Sequence, residues 1–547
     1  MYRTAGITLG VLLLLLGPTF SFGLHEPPAV MKPNEDLGLL IIAPTAFISA
    51  IAPLVEHKSN RGVSAIVQTT EDIYATYQGY DQPEQIKYCI KDVLESYGIS
   101  FVLLVGGAEQ IPGRYTSVFY EDVHQSEWIF LSDLYYADIY DEQGHFASWD
   151  SNNNGVFAEY QWEGNTDAMD LRPDVYLGRL ACINAAEVTI CINKIIAYES
   201  EQVYQEDWYN NIIYIGGDSL PGDQEAVDEG EYVNQKVMEI MQGFNPVKIW
   251  ASLGGLDDPS YISQAINNGA SFVFFNGHGH TNIWATHPHE SAIWLPPGSY
   301  TNTHLRNLNN AEKLGIVVSD ACYHCAYDQQ ENCFGWTFVV NPNGGGIAFI
   351  GGTDIDMSYG GEAIITKGIE KLCLEIATHY MQGAGTLGEL WGRSIESYRT
   401  DDMDEIDIIT LLENQLFGDP SLALVGLSRA PVQPNPPQGP VTGNIRMDHT
   451  YTAVTTDPDD DSVFYLFDWD DGSDSGWLGP YQSGILCNVS HQWSSIGQYD
   501  IRVKAKDAHG VQSEWSDPLP ISMPLLHQTL LEVIVKWILQ LLGIPIY

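Results

Sequence analysis

The run Ser271-Phe-Val-Phe-Phe-Asn276, followed at once by Gly277-His278-Gly279-His280, decides how the rest of the 547-residue chain is read. Its apolar residues are contiguous rather than alternating, and turn formers bound it, the pattern of a strand covered on both faces of a parallel sheet. A second run, Gly315-Ile-Val-Val-Ser319, stops at Asp320-Ala-Cys322, and a third, Gly345-Gly-Ile-Ala-Phe-Ile-Gly351, also ends in small residues. In open α/β sheets the ligand crevice lies beyond the carboxyl ends of the strands, so His278 and Cys322 are expected to face one crevice. A thiol and an imidazole delivered together are the minimum for nucleophilic catalysis, because the imidazole promotes the thiolate that attacks. A lone His after a strand is more often structural, and a Cys among apolar neighbours is usually inert core. Gly277 and Gly279 favour the chemical reading, since they leave the backbone around His278 free to approach a substrate.

The same rhythm extends upstream. Leu39 to Ala43, Val63 to Gln68 and Phe101 to Val105 read as strands, and Phe47 to Lys58 as a helix closed by Arg61-Gly62. A βαβ alternation of this kind implies a parallel sheet with helices on both faces. Asn211-Ile-Ile-Tyr-Ile-Gly216 opens a second such half, and its strand end carries Asp218, a carboxylate at the crevice edge placed to orient the imidazole and stabilise its charged form.

These residues resemble the gingipain-type, caspase-like cysteine peptidases. The likeness rests on Gly277-His278-Gly279, Ala321-Cys322, Cys333-Phe334 and the Gly-rich strand from Gly344 to Gly352. It extends to Leu39 to Pro44, Phe101 to Gly106, Asp174 to Arg179 and Leu416-Phe-Gly-Asp-Pro-Ser-Leu422, all in the family's order, so that it spans residues 37 to 427. The resemblance implies an α/β fold of two caspase-like αβα subdomains with mostly parallel sheets, a smaller one over 37–207 and a catalytic one over 208–427. It implies that Cys322 attacks a scissile carbonyl while His278 assists proton transfer, with the amides of Gly279 and Cys322 as oxyanion donors. The family places an acid, usually Glu, where Asp218 stands here, and a further acid lining a pocket for a basic side chain, for which Glu231 is the nearest match. The expected activity is hydrolysis of peptide bonds in protein or peptide substrates, with no cofactor for the chemistry. Two alternatives are a silent adhesin or scaffold on a peptidase fold, which would have no reason to keep both His278 and Cys322, and a transpeptidase that passes the acyl group to an amine.

Composition narrows the setting. A net charge of −47 makes nucleic acid an improbable electrostatic partner, and with only 17% charged residues it points to divalent cations, basic substrates or a saline habitat. The 44% hydrophobic content excludes wholesale disorder, and eight cysteines in a chain of this length do not make a disulfide scaffold. Residues 1–23 carry one early cation, an apolar core from Val11 to Leu16 and small residues at Ser21-Phe-Gly23, which read as a secretory signal and predict an extracellular or cell-surface protein. Between this signal and Leu39 there is room only for a short lead-in, so no large propeptide is expected there.

Asp150-Ser-Asn152-Asn-Asn154-Gly155, with Glu159 after it, sets oxygen side chains at alternate positions before a turn-permitting Gly, and reads as half of a weak structural calcium loop, or else as an Asn/Gly turn. Cys322, Cys325 and Cys333 with His278, His280 and His324 raise a zinc alternative, although no second Cys-x-x-Cys completes four ligands. Five prolines between 428 and 440 mark a stiff linker. Beyond it, Phe464 to Trp469, His491 to Trp493 and Tyr499 to Lys504 predict an Ig-like β-sandwich over 441–524, and Asp468-Trp-Asp-Asp-Gly472 with Tyr499 to Asp507 resembles the polycystic-kidney-disease-type (PKD) domain. The tail from 525 to 547 places Gln528, Glu532, Lys536 and Gln540 on one narrow stripe of an otherwise apolar helix, suited to a membrane surface, the cell envelope or a docking face.

Overall fold

The computed structural model describes residues 38 to 542 apart from 121–125, 201–205, 223–226, 358, 401–402, 425–429, 459–460, 508–511 and 524–529; the signal reading at 1–23 lies outside the described residues. Its centre is one sheet of ten strands: β1 Gly38–Ala43, β2 Ala65–Thr69, β3 Ile99–Val105, β4 Tyr176–Leu180, β5 Asn211–Gly216, β6 Asn245–Trp250, β7 Phe272–Asn276, β8 Gly315–Asp320, β9 Gly346–Gly352 and β10 Asn414–Phe417. They lie in the order β2-β1-β3-β4-β10-β9-β8-β7-β5-β6. All neighbours are parallel except β9 and β10. Every residue of β7, β8 and β9 is buried, as contiguous apolar runs require when helices cover both faces.

The two halves expected from sequence are therefore one sheet. The short strand β10, from the far end of the catalytic half, pairs antiparallel with β9 and parallel with β4 at Phe417 and Arg179. It fills the place where each half would otherwise end in an open edge, and a single hydrophobic core runs from Leu39 to Leu424. Local signals set the covering helices. Gln82–Tyr97, for example, starts where the Asp81 side chain accepts from Glu84 N–H and ends at Gly98, whose φ of 66° only glycine adopts readily.

Between β7 and β8 the chain makes a small antiparallel sheet, His278–His280 with Ile283–Thr286 and Leu295–Thr301. After the prolines, a two-stranded and a four-stranded antiparallel sheet enclose a separate core that includes Trp469, Trp493 and Phe467. The second expected strand of this sandwich is Cys487–His491 rather than 491–493, because Trp493 turns inward and its indole N–H donates to the Trp469 carbonyl at 3.2 Å. The tail forms the helix Leu530–Leu541, with Trp537, Ile538 and Leu541 exposed. Among the described residues no helix is long and apolar enough to cross a membrane.

Candidate active site

The register of β7 and β8 brings the dyad together. Asn276 pairs with Asp320, and each strand runs two residues further to its reactive side chain, His278 on one and Cys322 on the other. The pairing outlasts the strands, since Gly277 N–H donates to the Asp320 carbonyl at 3.0 Å. Gly279 is glycine because the chains touch here: a Cβ would lie 2.6 Å from the Cys322 carbonyl oxygen and 2.7 Å from His324 Nε2. Directly after the nucleophile, Tyr323 sits at φ 60°, an uncommon conformation for a large side chain, and its N–H donates to the Asp354 carbonyl at 2.7 Å. The Cys322 N–H meets no carbonyl among the described residues, so it is free to serve an oxyanion.

His278 is held from the side away from this turn. Its Nε2 lies 2.7 Å from the Ser219 carbonyl, which can only accept, so Nε2 carries the hydrogen and Nδ1 keeps its lone pair for proton transfer. Burial lowers the imidazole pKa, against the raising effects of the Ser219 carbonyl and the Asp218 charge. Burial, then the negative charge of Asp356, pushes the Cys322 thiol up to about 12. Both shifts favour the uncharged thiol and imidazole, an arrangement in which an imidazole can serve as a general base.

Asp218, expected to orient His278, makes no hydrogen bond to it, although its charge favours the protonated imidazole. Its two oxygens accept from the N–H groups of Leu220 and Glu290, both at 2.9 Å, and its main chain pairs with His287. It ties two loops together while the neighbouring Ser219 carbonyl takes the imidazole. Glu231 is likewise placed elsewhere: its carboxylate accepts from the Ser252 N–H at 2.9 Å and hydroxyl at 2.6 Å. Two positions on a helix lie about 200° apart, so Glu229, on the opposite face of Glu229–Ile240, turns toward the site instead. Fully buried, it accepts from Ser219 N–H at 3.2 Å and Gly361 N–H at 3.1 Å, and so braces the residue whose carbonyl holds His278. Only an acidic pair at a helix start was visible in sequence.

The zinc alternative does not survive the geometry. His324 is buried between Ser319 Oγ at 2.7 Å and the Ile283 carbonyl at 3.0 Å, and burial lowers its pKa to about 3. Cys325 and Cys333 are sealed in the core, and His280 is exposed against the Tyr323 ring. Far from this site, Asp150, Asn152, Asn154 and Glu159 do converge. Asp150 caps the N–H groups of Asn154 and Gly155, while Glu159 accepts the side-chain amides of Asn152 at 2.6 Å and Asn154 at 2.9 Å. The loop is closed by its own hydrogen bonds, and a cation would need those amides turned to present oxygen.

A mostly parallel α/β sheet that presents a Cys and a His on adjacent strand ends defines the caspase-like class of cysteine hydrolase folds. The profile of peptidase family C25 matches residues 32–425, and the chain belongs to that family. Gingipain R2 of Porphyromonas gingivalis is 22% identical over 449 residues, covering 79% of this chain and 52% of its own length. Lys-gingipain of the same organism is 23% identical over 331 residues, 60% of this chain and 16% of its own length. The chain thus spans about half or less of the curated relatives it matches. The crystal structure of the Arg-specific cysteine proteinase gingipain R shares the fold, with a TM-score of 0.52 at 18% identity over 90% of this chain and 99% of that one.

Proposed function

We propose that the protein is a secreted cysteine endopeptidase that hydrolyses peptide bonds through Cys322 and His278. The observation that carries this reading is the adjacent delivery of the two side chains past the paired residues Asn276 and Asp320. His278 Nδ1 takes the thiol proton as Sγ attacks the scissile carbonyl, and the Gly279 and Cys322 amides receive the oxyanion. The C–N bond breaks as the proton passes to the leaving nitrogen, and water then releases the acyl group from its thioester.

Substrates with a basic residue before the scissile bond fit best. Asp320, Asp356 and Glu413 lie near Cys322 with no cation paired to them among the described residues, and gingipain R, whose fold is shared, is Arg-specific. The exposed apolar residues of the helix Leu530–Leu541 suit attachment at an envelope surface. The test is a peptide-library digest: Cys322→Ala and His278→Ala abolish cleavage, whereas Cys325→Ala and His280→Ala retain most of it. Activity surviving in Cys322→Ala overturns the assignment, and an added amine that diverts the product would reassign the chain to acyl transfer.

A further inference from the structure

Beside the catalytic imidazole stands an aromatic ring that the mechanism above does not use. Trp294 meets His278 edge to face, with centroids 5.4 Å apart and ring planes at 81°. Its indole is 52% exposed, and the neighbouring Ile293 is 66% exposed, so two large apolar side chains face solvent at the mouth of the site. Trp294 is braced all the same. Its ring lies 4.0 Å from that of His287, a buried residue whose Nδ1–H donates to the Ile293 carbonyl at 3.1 Å. The brace is anchored in turn, because His287 and Asp218 exchange both main-chain hydrogen bonds, at 2.9 and 3.1 Å, one residue before the Ser219 carbonyl that holds His278. Exposed apolar surface gathered on a rigid support, rather than scattered, marks an interaction site.

Which part of a substrate reaches it follows from the chemistry of the dyad. Cys322 keeps the acyl portion, and His278 gives its proton to the departing amine, so the residues after the scissile bond lie on the imidazole side. We propose that Trp294 contacts substrate there and receives the side chain that directly follows the scissile bond, favouring a large apolar one. The inference rests on the peptidase reading and adds a specificity determinant on the leaving-group side. A fixed indole offers wide contact area without ordering a flexible chain on binding.

The test compares the wild type with Trp294→Ala and Trp294→Phe on peptides that share all residues before the cut and carry Gly or Leu after it. In the wild type kcat/KM for the Leu peptide exceeds that for the Gly peptide by roughly tenfold or more, the range expected for filling an apolar subsite. Trp294→Ala collapses that ratio toward one, chiefly through a raised KM on the Leu peptide, and Trp294→Phe restores most of it. A ratio unchanged in Trp294→Ala, or an equal fall in kcat on both peptides with a displaced pH profile, overturns the proposal and leaves Trp294 as a cover that positions His278. A wild type that cleaves no peptide at all would instead overturn the peptidase reading itself.

Discussion

Buried charge is handled in opposite ways at the two ends of the central sheet. On the N-terminal side two deep cations, Arg179 and Lys58, are each matched by acids. Arg179 on β4 donates to both oxygens of Asp133 at 2.6 and 2.7 Å, and to the carbonyls of Gly106 and Ile111 at 2.7 and 3.0 Å. Lys58, equally buried, reaches Glu199 at 2.7 Å and Asp419 at 2.9 Å. On the catalytic side Asp320, Asp356 and Glu413 gather near the carboxyl end of β8 with no cation paired to them among the described residues, and burial lifts all three pKa values. The first arrangement fixes the fold. The second packs acids against one another beside the nucleophile, where burial favours their uncharged forms.

The sharpest way to break this contrast is Arg179→Met. It strands Asp133 in the core without a counter-charge, and removing one partner of a buried pair costs about 3–5 kcal/mol. Urea denaturation measures it, and the double variant Arg179→Met with Asp133→Leu should recover much of the loss. A single-variant loss within the scatter of surface substitutions would show that the N-terminal pairs are no more than ornament.

A smaller effect, of opposite logic, is expected from Glu413→Gln. The Asp356 carboxyl is raised to about 6 from an ordinary 3.8, so the folded state holds its proton more tightly than the unfolded chain does. Stability from this source is fully present below the unfolded value and is lost as pH rises through about 6, an effect of order 1–3 kcal/mol. Glu413, held protonated by burial and by Asp356, adds to the same slope. Gln keeps a donor toward Asp356 without a titrating proton, so Glu413→Gln should flatten the decline and gain about 1 kcal/mol at alkaline pH. Denaturation midpoints across pH test this; a decline as steep as that of the wild type would mean that the acids are compensated after all.

How much of this was legible beforehand follows from which interactions are local. The strands around Val273 and Val317, the dyad at their ends and the break at the prolines all declare themselves in contiguous residues. The union of two halves into one sheet hangs on Asn414–Phe417, four residues whose pairing with both β9 and β4 is purely tertiary. The true support of His278 is a carbonyl, which every residue has and no sequence advertises. Choosing Glu229 over Glu231 needed the phase of a helix relative to the crevice, and neither the left-handed Tyr323 nor the ring of Trp294 beside His278 leaves any local signature.

The neutral dyad gives a third, kinetic comparison. Catalysis needs His278 unprotonated as a base, and its burial lowers the pKa below the ordinary 6.5. The acid limb of kcat/KM should therefore lie below pH 6.5, with activity maintained as pH falls past that point and lost only lower. An acid limb above 6.5 would mean that a carboxylate stabilises the imidazolium, as in an ion-pair dyad, and would make Asp218, whose charge already raises the imidazole pKa, that carboxylate.

The smallest expected effect lies in the loop at 150–159, whose acids stand between the two extremes because amides rather than cations answer them. Calcium would convert this loop from the second arrangement to the first, with Asp150 and Glu159 as its anions and Asn152 and Asn154 turning their oxygens inward. The rearrangement breaks the hydrogen bonds from both asparagines to Glu159, so binding should be weak and should show only at millimolar calcium. A ligand at ten times its Kd stabilises the state that binds it by about 1.4 kcal/mol, a rise of roughly 2–4 °C in Tm for a domain of this size. Thermal unfolding with calcium and with magnesium, in the wild type and in Asp150→Ala, decides the matter. A shift specific to calcium and lost in the variant establishes the site, whereas an equal shift in both proteins would leave the loop as a turn whose acids need nothing beyond the amides already gathered around them.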